Sequence, residues 1–147
     1  MNKIYIYGAD KLAVVENRKG IKELLLSLFS QENTELDKIT YIFCSDEYLL
    51  EINKKYLDHN TLTDVITFPL SEEDQPVYGE VYLSTDRIKE NAKTFKVEYQ
   101  NELLRVMIHG ALHLCGYTDK TKASKTQMRE REDYYLNKFN VSREANP

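Results

Sequence analysis

Long hydrophobic runs are missing from this 147-residue chain. No stretch approaches the roughly 18–20 apolar residues that a membrane span needs. The first residues, Met1-Asn2-Lys3-Ile4-Tyr5-Ile6-Tyr7, lack the long apolar core and small-residue cleavage site of an export signal. A cytoplasmic protein without a membrane is therefore expected. Cysteine is scarce, with Cys44 and Cys115 far apart in apolar runs. Two reduced thiols are expected in such a compartment. Five glycines and three prolines build no linker, and there is no repeat or low-complexity segment. Excess positive charge is missing too. The formal net charge is -4, which argues against holding nucleic acid by bulk charge alone. A local basic groove stays open. Histidine is rare, but two of the three, His109 and His113, sit four residues apart.

What is present fits one domain over residues 1–147. Apolar residues make up 41%, enough for a core at this length. Ile4 to Tyr7 reads as a short strand closed by Gly8. Gly20 to Phe29 carries Ile21, Leu24, Leu25 and Leu28 at helical spacing. Ile39 to Cys44 is β-branched and aromatic, hence a strand. Ser45 occupies an N-cap position for a helix to about Tyr56. Asp64 to Phe68 is a strand stopped by Pro69, and Val77 to Leu83 is another. Ser84 or Thr85 caps a helix to about Lys93. Two more helices follow, from about Glu98 to Cys115 and from about Lys122 to Phe139. The expected fold is α+β: a small mixed sheet of about four strands with several helices on it.

The helix from Glu98 carries the chemistry. Leu104, Met107, Ile108, Ala111, Leu112 and Cys115 form one apolar stripe. At about 100° per residue, His109 and His113 fall roughly 130–170° from its centre. Their spacing sets two imidazoles about 6 Å apart on one face. Such a pair can reach one metal ion at about 2.0–2.1 Å. Gly116 suits a helix C-cap, and the returning chain brings Asp119 within reach as a third ligand. Two imidazoles and one carboxylate leave a coordination position open for water. The competing reading is a pair of ordinary surface histidines. The zinc-protease pattern needs glutamate directly after the first histidine, where this chain has Gly110.

The block His109-Gly110-Ala111-Leu112-His113-Leu114-Cys115-Gly116-Tyr117 resembles the signature of the YbeY family, His-Gly-x-Leu-His-Leu-x-Gly-Tyr-Asp-His. Asn53-Lys54-Lys55-Tyr56, Thr63-Asp64-Val65-Ile66-Thr67-Phe68-Pro69 and Gly79-Glu80-Val81-Tyr82-Leu83-Ser84 resemble its other blocks, in the same order. The resemblance implies a metal-dependent endoribonuclease with a zincin-like site on a helix. It implies a metal-activated water attacking a phosphodiester of single-stranded RNA, and a role in ribosomal RNA maturation beside the ribosome. His109, His113 and Asp119 would hold one divalent ion, Zn2+ by expectation. The chain departs from the pattern at Asp119, which replaces a third histidine, and at Thr118. It also has Leu57 where the family carries a phosphate-binding arginine. Aspartate is a harder ligand and broadens metal choice toward Mn or Fe. The alternative function is a ribosome-assembly or RNA-binding factor with a structural metal. A metallohydrolase of small molecules is a third.

The remaining candidates each have two readings. Glu80 faces the site as a general base or lies on a solvent face. Asp64 supports the histidine helix or caps a strand. His59, Lys54, Lys55 and Lys120 are candidates to replace the cation missing at Leu57. Glu102, two turns before His109 and about 10 Å away, is too far to ligate. Tyr117 donates to a phosphate or packs. Lys120, Lys122, Lys125, Arg129 and Arg131, interleaved with Glu130, Glu132 and Asp133, form a rim guiding RNA or an ordinary solvated helix face. Tyr82 and Tyr117 are the candidate stacking residues of that rim.

Overall fold

The computed structural model describes residues 3–145. Residues 1, 2, 146 and 147, the ends of the expected domain, lie outside the described residues. Strand β1 (Ile4–Gly8) and helix α1 (Arg18–Gln31) lead into β2 (Leu36–Cys44) and α2 (Asp46–Leu57). Then come β3 (Val65–Pro69), β4 (Val77–Ser84), α3 (Thr85–Phe95), α4 (Tyr99–Leu114) and α5 (Lys122–Ala145). The caps are local chemistry. The Ser45 hydroxyl accepts from the Tyr48 N–H, and the Ser84 hydroxyl accepts from the Arg87 N–H. None of these helices is long and apolar enough to cross a membrane.

The four strands form one mixed sheet in the order β1-β2-β4-β3. β1 pairs with β2, and β2 with β4, in parallel, while β3 runs antiparallel to β4. The α+β expectation holds in both its strand count and its mixed pairing. The βαβ unit β1-α1-β2 supplies the first parallel pair.

Alternation along the strands sends side chains to two faces. On the first face, Ile4, Ile6, Ile39, Tyr41, Phe43, Val81 and Leu83 are buried with residues of α1, α4 and α5. The buried Tyr41 hydroxyl donates to the Met107 carbonyl at 2.9 Å, tying sheet to helix. The second face carries Tyr5, Tyr7, Thr40, Ile42, Glu80 and Tyr82. There α2 packs Leu49 and Ile52 against Cys44, Ile66, Phe68 and Tyr82.

α4 is the central helix. Its predicted stripe is buried at Leu104, Met107, Ile108, Ala111 and Leu112. Each of the leucine, isoleucine and methionine side chains gains about 1.5–3 kcal/mol on burial. Gly110 explains how close the helix comes to the sheet. A Cβ there would lie 2.7 Å from Val81 Cγ1, inside any real contact distance. The glycine at this position is a packing requirement, and it removes the glutamate a protease would need. Gly110→Ala is expected to lower unfolding stability by about 1–3 kcal/mol through overpacking, read from chemical denaturation.

Candidate metal centre

α4 ends in a glycine turn that aims the next residues back at its own histidines. Gly116 has φ 105°, which a side chain would disfavour. Its N–H donates to the His113 carbonyl, and the Tyr117 N–H donates to the Leu112 carbonyl. This is the Schellman pattern. The turn is then clamped from outside. Glu32, at the end of α1, accepts hydrogen bonds from the hydroxyls of Tyr117 at 2.7 Å and Tyr135 at 2.5 Å, and from Arg131 at 2.7 Å. Burial works to raise the Glu32 pKa, but these three donors outweigh it and hold the carboxyl below the usual glutamate range.

The result is a three-residue cluster. Asp119 Oδ2 lies 3.5 Å from His109 Nε2, and Asp119 Oδ1 lies 3.7 Å from His113 Nε2. The imidazole centroids are 5.4 Å apart. One donor atom from each of the three lies within 4.8 Å of the other two, so the cluster could hold a metal ion. Two ligands of a tetrahedral ion at about 2.0–2.1 Å sit about 3.3 Å apart, close to the observed carboxylate–imidazole separations. The donor chemistry, two imidazole nitrogens and one carboxylate, suits zinc with a free coordination position.

His109 has a partner that sequence reasoning missed. Its Nδ1 lies 2.7 Å from Glu132 Oε2 on α5. The carboxylate accepts a hydrogen bond from Nδ1–H, and in the neutral ring this tautomer leaves the Nε2 lone pair facing Asp119. Glu132 is only 5% exposed and is itself held by Arg105, whose guanidinium also binds Asp133. Burial alone would lower the His109 pKa, but the Glu132 bond and charge, with Asp119 and Asp64, raise it. His113 has no such carboxylate on its Nδ1 among the described residues. Burial and the neighbouring His109 lower its pKa, so it stays neutral at physiological pH. One sequence signal for Glu132 existed: it interrupts the buried α5 stripe of Met128, Tyr135, Leu136 and Phe139.

The cluster opens into a cleft of about 690 Å³. Asp64, Glu102 and Thr67 line its wall, and Lys125 and Arg129 enter from α5. Asp64 accepts from the Asn91 amide at 3.3 Å, and its carbonyl accepts from the Ser84 N–H. Burial raises the Asp64 and Glu102 pKa values, against the lowering pull of His109 and Arg105 respectively. Of the cation candidates, His59 lines the cleft as Leu57 does, whereas Lys54 pairs with Glu51 and Lys55 lies over the Tyr56 ring. Lys120 stays outside the lining but lowers the His113 pKa.

Three expected roles end elsewhere. Glu80 lies on the sheet's second face, opposite Thr40 and Phe68 in register, where its carboxylate accepts from the Tyr82 hydroxyl. It is separated from the histidines by the sheet, so the base role drops. Tyr82 lies on that same face, away from the rim. Tyr117 gives its hydroxyl to Glu32. Cys115 is free, and burial pushes its thiol up to about 11, away from the thiolate a metal needs. Cys44 is free and buried.

Glu132→Gln keeps the shape but weakens the charge on His109. Divalent-ion affinity should fall about 10–100-fold, measured by competition with a chromophoric chelator. Unchanged affinity would show that His109 needs no orienting carboxylate.

The family described as endoribonuclease YbeY matches residues 8–140. A Flavobacterium psychrophilum protein named endoribonuclease YbeY is 52% identical over 115 residues, covering 78% of this chain and 81% of that protein. One of the same name from Amoebophilus asiaticus is 42% identical over 133 residues, 90% of each. A solution structure from Thermotoga maritima superposes with a TM-score of 0.67 at 32% identity, covering 98% of this chain and 93% of the other. With the family model spanning residues 8–140 and relatives matched over most of both chains, the chain belongs to the YbeY family of endoribonucleases.

Proposed function

We propose that this protein is a metal-dependent endoribonuclease that cuts single-stranded RNA during ribosomal RNA maturation in the cytoplasm, working beside the ribosome. The observation that carries the reading is the His109–His113–Asp119 cluster at the mouth of a cleft that also receives Lys125 and Arg129. His109, His113 and Asp119 are the ligands in this reading, and one zinc ion is the cofactor their donor set suits best. When bound, the ion supplies Lewis acidity toward a phosphoryl oxygen and toward water.

The chain's own residues do the rest. Glu132 holds the proton on His109 Nδ1 and keeps Nε2 directed at the site. Neutral His113 offers its lone pair without first losing a proton. The Glu32 clamp fixes the turn from which Asp119 projects. Phosphate must approach a wall rich in carboxyl groups, so local cations are needed. Arg105 is committed to Glu132 and Asp133. Lys125 and Arg129, one turn apart on α5, have no ion pair among the described residues and face the cleft. They take the role of the family arginine that Leu57 replaces, reaching the RNA backbone from α5.

Cleavage of an unstructured RNA should stop on chelation and return when a divalent ion is restored. Full cleavage in chelator would overturn the reading. Replacing Lys125 and Arg129 together by alanine removes two phosphate contacts. The slope of log affinity against log salt should become shallower by about 1.4, from about 0.7 per contact with a single strand. An unchanged slope would place the phosphate contacts elsewhere.

A further inference from the structure

The second face of the sheet is a surface that the cleft does not use. Four of the eleven tyrosines, Tyr5, Tyr7, Tyr78 and Tyr82, share it by register. α2 packs over its β3–β4 half. Outside that contact the face opens: Tyr7 on β1 is 56% and Tyr78, at the start of β4, 36% exposed. The Tyr5 and Tyr7 rings lie nearly parallel, 13° apart in plane with centroids at 6.2 Å. Lys38 stands between rings, its ammonium 5.1 Å from the Tyr5 centroid and 5.8 Å from that of Tyr78. On the α2 side, Phe68 meets Tyr56 and Tyr82 edge-on at 5.9 and 5.8 Å.

We propose that the open tyrosine face around Tyr7, Lys38 and Tyr78 is a second RNA site, which stacks unpaired bases of a single strand. Its choice of RNA rests on the nuclease reading; the site itself does not. Aromatic rings on a pleated sheet, with a cation among them, are what sequence-tolerant binding of single strands requires, because every base has a stackable face. A protein partner fits less well. The centres of protein interfaces are depleted in lysine, and here an ammonium sits at the middle of the open patch. The face offers Ile42, half-buried, as its aliphatic residue next to Tyr7 and Tyr82.

The test uses a single-stranded oligonucleotide carrying 2-aminopurine, whose fluorescence is quenched on stacking. It compares the wild-type protein with the pair Tyr7→Ala and Tyr78→Ala, and with the pair Tyr7→Phe and Tyr78→Phe. Both side chains are exposed, so the alanine pair should fold, and unchanged metal content verifies this. The alanine pair is expected to lose the quenching and bind at least about tenfold more weakly, while the phenylalanine pair keeps both. Wild-type affinity and quenching in the alanine pair would overturn the proposal. So would an alanine pair that binds RNA normally but loses a dimer seen in sedimentation, since a second copy would then cover the face. A wild-type protein that cuts no RNA yet shows tyrosine-dependent quenching would refute the nuclease reading and support this one.

Discussion

The buried hydrogen bond between His109 and Glu132 is the constraint around which the site is organised. A carboxylate that is 5% exposed is costly unless it is paired and hydrogen-bonded. Glu132 meets that condition with His109 on one oxygen and Arg105 on the other, both from α4. The same contact therefore docks α5 on α4 and orients the imidazole. Removing one partner of such a buried pair typically costs about 3–5 kcal/mol, because the other charge is stranded. Stability and ligand geometry are thus coupled at one atom pair.

α4 satisfies two opposed demands. Its apolar stripe is buried against the sheet, drawn close by Gly110, while the imidazoles turn toward the cleft. The third donor comes from outside the helix, across a turn set by Gly116 and held by Glu32 from the far end of α1. An aspartate fits this turn as a short arm that reaches both imidazoles. In the proposed function it also brings a negative charge to the place that phosphate approaches. In the proposed function Lys125 and Arg129, which have no ion pair among the described residues, answer that problem locally, which is compatible with a net charge of -4.

Much of this was legible in the residues. The 3.6-residue stripe of α4, the i, i+4 histidines and Gly116 are short-range signals, and each fell where periodicity and cap chemistry placed it. Glu132 was not legible as a partner, because its link to His109 spans 23 residues and depends on how two helices cross. Its only trace is a charged residue inside an apolar stripe. Glu80 was left with two readings for a different reason. Val77 to Ser84 carries large side chains on both faces, so alternation alone does not say which face looks at α4. Tyr117 sits beside the ligands in sequence, yet its hydroxyl turns to α1, a direction no local pattern encodes.

Zinc K-edge X-ray absorption on the loaded protein tests the ligand assignment most directly. The predicted spectrum has two imidazoles in the first shell, oxygen in the remainder, and no sulfur. Sulfur scattering from Cys115, or fewer than two imidazoles, would contradict it.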